Sequence, residues 1–77
     1  MQKNQVLDNL KEVEKQLSNY EAFVSAHQQK VQSIKTSGGD TLEAERLLSL
    51  YVSSQTRLMA ARSRLRAALA LFDFYSG

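Results

Sequence analysis

Apolar positions along this chain recur at alternating steps of four and three, and they do so twice. The first half carries Val6, Leu10, Val13, Leu17, Tyr20, Val24, His27, Val31 and Ile34 in that rhythm. The second half carries Ala44, Leu47, Tyr51, Ser54, Leu58, Ala61, Leu65, Ala68 and Phe72. The two sets mirror one another about Gly39, so each residue of one set lies as far before that glycine as its counterpart lies after it. A stripe with this spacing is the seam of a helix packed along a partner helix. A mirrored pair of stripes predicts an all-α chain, an antiparallel two-helix coiled-coil hairpin that occupies 1–77 as a single domain.

Local signals set the boundaries at helix 1 over about 4–37, a turn at 38–40 and helix 2 over about 41–75. Residues 1–5 and 76–77 are expected to fray. Thr36-Ser37-Gly38-Gly39 is a poor helix continuation, and Gly38 is free to take the left-handed conformation that ends many helices. Asp40 can cap helix 2 through the N–H of Leu42 or Glu43, with Glu43 reaching back to close a capping box. The chain has no Pro to interrupt either helix.

With Val6 at heptad position d and Leu10 at a, and with Ala44 at a and Leu47 at d, each a faces a d across the seam. The expected layers include Val6–Phe72, Leu17–Ala61, Val31–Leu47 and a polar layer of His27 with Tyr51. Large residues repeatedly meet small ones, which lets the helices interdigitate. On the flanks, Glu14 and Glu21 are expected beside Arg62, and Lys30 beside Glu43.

The seam does not use up the apolar content. One flank holds Leu7, Leu48, Val52, Met59 and Leu69; the other holds Phe23, Leu50, Leu71 and Phe74. A hairpin with two apolar shoulders is a poor monomer. Area burial and an ordering cost of about 1.5 kcal/mol per residue nearly cancel in so short a chain. A homodimer forming a four-helix bundle is therefore expected. Leu48, Val52, Met59, Leu69, Phe72 and Phe74 are the expected oligomer interface.

Composition narrows the chemistry. There are no Cys residues, so neither a disulfide framework nor a thiolate metal site is expected. The net charge of +2 is too weak to demand a nucleic-acid partner. No run of about 18 apolar residues predicts a membrane span, and no apolar leader segment is evident, so a cytoplasmic protein is expected. His27 is the single histidine. Its place on the seam predicts a register-fixing layer hydrogen-bonded to Tyr51 or to its symmetry mate, in preference to a pH switch or a catalytic group. No residue set for catalysis, metal binding or cofactor binding is expected. A group of cations, Lys11, Lys15, Arg57, Arg62, Arg64 and Arg66, is the candidate contact for RNA or DNA. The wheel splits its arginines across two sides, beside acids from helix 1, which points to charge matching within the hairpin.

Gly38-Gly39-Asp40-Thr41 followed by Ala44-Glu45-Arg46-Leu47-Leu48 resembles the turn-and-helix segment of small bacterial two-helix proteins of unassigned activity. The resemblance covers the middle third to half of the chain and implies a bacterial origin without a mechanism. The general shape is similar to the plasmid regulator Rop, a dimer of helical hairpins that binds paired RNA loops, by architecture alone. The sequence thus points to a non-enzymatic, homo-oligomeric module whose partners are itself and an unidentified protein. A nucleic-acid-binding regulator is the alternative.

Overall fold

A computed structural model describes residues 2–76, with side chains through residue 75. Two helices account for nearly all of it, α1 over Lys3–Thr36 and α2 over Leu42–Ser76. They pack antiparallel along their whole length into a rod of 60 × 15 × 14 Å. The chain doubles back at the glycine pair, as the mirrored stripes require.

The turn is a Schellman motif built by sequence. Ser37 caps α1, and Gly38 follows with φ +79°, where a Cβ would be strained. The Gly38 N–H donates to the Lys35 carbonyl at 3.1 Å, and the Gly39 N–H donates to the Ile34 carbonyl at 2.9 Å. A Cβ on Gly39 would sit 2.9 Å from Ile34 Cγ2, so the close approach of the turn to α1 requires glycine there too. The hydroxyls of Thr36 and Ser37 donate back to the carbonyls of Gln32 and Ser33, and the Ser33 carbonyl also accepts the Ser37 N–H at 3.1 Å.

Helix 2 starts one residue later than the sequence suggests. Thr41 accepts the first helical bond, from the Glu45 N–H at 2.8 Å. Asp40 does accept the Leu42 N–H, at 3.0 Å. The acid that reaches back to the turn is Glu45 in place of the expected Glu43. Its Oε1 accepts from Thr41 Oγ1 at 3.0 Å and lies 3.4 Å from Lys35 Nζ. One carboxylate thereby ties the end of α1 to the start of α2. At the other end of α1, Gln2 caps the helix and its N–H donates to Gln5 Oε1 at 3.0 Å, so residues 3–5 are helical where fraying was expected. The fraying expected of Met1 and Gly77 lies outside the described residues.

All nine seam positions expected in α1 are buried or half-buried. Val6, Leu17 and Val31 are buried and mark the open end, the middle and the turn end of the core. The α2 side differs in roll. Leu47 is 44% exposed, while Leu48 beside it is half-buried. Thr41, Leu48, Gln55, Arg62 and Leu69, one per heptad at the e position, are all half-buried. Helix α2 therefore shows α1 an a, d and e face, wider than the a and d stripe expected. The cause is size. Several d positions hold small residues (Ser54, Ala61, Ala68), and rolling toward e covers the larger Leu48 and Leu69 as well as the alkyl stem of Arg62.

The same roll changes the ion pairs. Glu14 meets Arg66 at 3.3 Å, where Arg62 was expected, and Lys35 meets Glu45, where a Lys30–Glu43 pair was expected. Lys3 meets Asp73 at 2.8 Å across the open end. Arg66, Glu45 and Asp73 all occupy the b position of α2, which the roll carries next to α1. These pairs are half exposed, and each is worth about 0–1 kcal/mol.

Candidate interaction surfaces

The hairpin has two long shoulders, and the roll of α2 makes them unequal. The shoulder formed by the e row of α1 and the e and b rows of α2 is laced by the Glu14–Arg66 and Lys35–Glu45 pairs, with Val52 and Met59 exposed on its outer edge. The shoulder formed by the g rows is left open. A groove of about 420 Å³ lies there at the open end, lined by Val6, Ala68, Leu71, Phe72 and Tyr75. A second groove of about 380 Å³ lies further along, between Asn9, Glu12 and Val13 of α1 and Ala61, Arg64 and Leu65 of α2. Large apolar side chains stand along this shoulder, with Leu50 65%, Leu71 57% and Phe74 78% exposed.

The expected oligomer residues do not share one face. Val52 and Met59 are exposed on the b row of α2, and Phe74 is exposed on the open shoulder. Leu48, Leu69 and Phe72 are half-buried and serve the hairpin itself. Phe23, Leu47, Leu50 and Leu71 add apolar exposure that the expected set omits. The heptad spacing of Leu50 and Leu71 on one row is the signal that locates them.

The candidate nucleic-acid cations are also divided. Arg57 and Arg64 stand exposed on the open shoulder. Arg62 is half-buried on the opposite side, and Arg66 is engaged with Glu14. Lys11 and Lys15 are exposed on the outer face of α1. No single phosphate-facing patch joins all six.

His27 and Tyr51 do form a layer, with ring centroids 4.8 Å apart. The hydrogen bond of the imidazole runs elsewhere, from Nδ1 to the Phe23 carbonyl at 3.0 Å. A carbonyl only accepts, so Nδ1 carries the proton in that bond. Tyr51 instead meets three rings. Phe23 stacks on it at 5.7 Å and Tyr20 lies tilted at 6.0 Å, which with His27 makes an aromatic knot in the half of the rod nearer the turn.

Among the described residues, no cluster of three or more His, Asp or Glu is placed to hold a metal ion, and no helix is long and apolar enough to cross a membrane. No protein-family model, no curated protein and no solved structure matches this chain. The structure shows a two-helix hairpin, and none of these comparisons supports a bacterial origin or a likeness to Rop.

Proposed function

We propose that this chain is a non-enzymatic helical interaction module that works as a homo-oligomer. The observation that carries this reading is the imbalance between core and surface. Among the described residues three side chains are buried, whereas nine large apolar residues are exposed. Two helices alone offer too little enclosed surface to offset the ordering of the chain. Covering the exposed residues with further helices of the same kind supplies the missing burial, as in bundles built from hairpins. Nothing in the layout of the six cations favours RNA or DNA as the partner over protein.

Thermal melting followed by circular dichroism tests the proposal. A folded homo-oligomer melts at a temperature that rises with chain concentration, because assembly stabilises the folded state by mass action. A midpoint unchanged over a hundredfold range of concentration overturns it. Retention on heparin at low salt, lost steeply as salt rises, would favour nucleic acid instead.

A further inference from the structure

Two rows of side chains on opposite shoulders complement each other level by level. The g row of α2 presents Glu43, Arg57, Arg64 and Leu71, all exposed. The e row of α1 presents Leu7, Glu14, Glu21 and Lys35, of which Leu7 alone is half-buried. In the antiparallel register of the hairpin itself, Leu71 comes level with Leu7, Arg64 with Glu14, Arg57 with Glu21, and Glu43 with Lys35. One level is apolar against apolar, and three are acid against base. The remaining level sets Leu50 beside Gln28.

Within one chain these rows do not meet. The Glu14–Arg66 and Lys35–Glu45 bonds place the e row of α1 beside the b row of α2. The second groove places Arg64 on the other side, with Asn9 and Glu12. Among the described residues, Arg57, Arg64, Glu21 and Glu43 enter no ion pair within the hairpin.

We infer that the open shoulder of α2 receives α1 of a second copy, antiparallel and in the same register. The next copy's Glu21 then faces Arg57, its Glu14 faces Arg64, and its Lys35 faces Glu43. This rests on the self-association proposed above and specifies the surfaces that meet. The row behind the charges agrees, since Ser53 and Ala60 of α2 come level with Ser25 and Ser18 of the next copy's α1, all exposed and small. Small side chains on both helices let the backbones approach closely. The apolar groove at Leu71 is covered in the same step.

The contact joins two different surfaces, so it is heterologous. Each added copy leaves one shoulder of each kind open, and growth continues to a ring or a filament instead of stopping at a two-fold dimer. A two-fold pairing of this row of α2 with itself about Arg57 would set the two Arg57 side chains against each other, which like-charge repulsion disfavours.

Charge reversal tests this assignment. The variants Arg57→Glu and Glu21→Arg alter exposed positions that carry no ion pair in the hairpin, and wild-type helicity by circular dichroism at high chain concentration confirms each fold. Each variant alone should assemble about tenfold more weakly in sedimentation velocity. An equimolar mixture should recover wild-type assembly, because each reversed row meets the other. A wild-type chain that assembles while the mixture fails to recover overturns the assigned surfaces and leaves self-association standing. A two-fold dimer that neither variant weakens overturns them as well. A wild-type chain that stays monomeric at every concentration overturns both readings.

Discussion

The imidazole of His27 lies edge-on to the ring of Tyr51, with centroids 4.8 Å apart, and the two residues are equally distant along the chain from Gly39. The mirror seen in the sequence is thus a contact in space. Tyr51 also touches Tyr20 and Phe23, so packing in the half of the rod nearer the turn depends on one ring. Tyr51→Ala should cost about 3 kcal/mol of stability in urea unfolding. Tyr51→Phe keeps the ring and should stay within about 0.5 kcal/mol of the parent. Equal losses in the two variants would mean that the phenol hydroxyl, and not the ring packing, carries the layer.

The turn makes a graded prediction. Gly38 has φ +79° with open space around it, so Gly38→Ala meets backbone strain alone and should cost about 1 kcal/mol. Gly38→Asn should cost less, since Asn tolerates this conformation. Gly39→Ala adds a collision with Ile34 Cγ2 and should shift the Ile34 methyl resonances, which Gly38→Ala leaves in place. Methyl NMR of the two variants separates the effects.

Leu17 is the buried residue midway along α1. Leu17→Ala should remove about 2–5 kcal/mol, enough to unfold much of so small a core at low concentration. Helicity of this variant should recover as concentration rises, measured by circular dichroism across a dilution series.

Leu69 and Met59 differ in how far the hairpin itself uses them, the first half-buried and the second exposed. Leu69→Glu should lower helicity at every concentration, because it places a charge in the hairpin's own seam. Met59→Glu should leave the helicity of the hairpin close to that of the parent. The reverse order would contradict the roll assigned to α2.

The hairpin was legible in the sequence because the step of four and three specifies a helix stripe, and its mirror specifies the antiparallel partner of each position. The glycine turn was legible because Gly38 sits where a left-handed residue closes a helix. The roll of α2 was not legible. Heptad letters give the order of residues around a helix but not how far it turns toward one flank, and that angle follows from the sizes of Leu48, Leu69, Ser54, Ala61 and Ala68 together. Ion-pair partners depend on that angle, so Glu14 was assigned to Arg62 when Arg66 is nearer. Which of the two flanks stays open was unreadable for the same reason, since the row of Leu50 and Leu71 and the row of Leu48 and Leu69 are both apolar until the roll divides them.

The most direct test of the account is the solution mass of the unmodified chain by sedimentation equilibrium over a wide concentration range. Self-association gives a mass that rises with concentration above the 8.7 kDa of one chain. A single species of 8.7 kDa, fully helical and unchanged at the highest concentration, would contradict it.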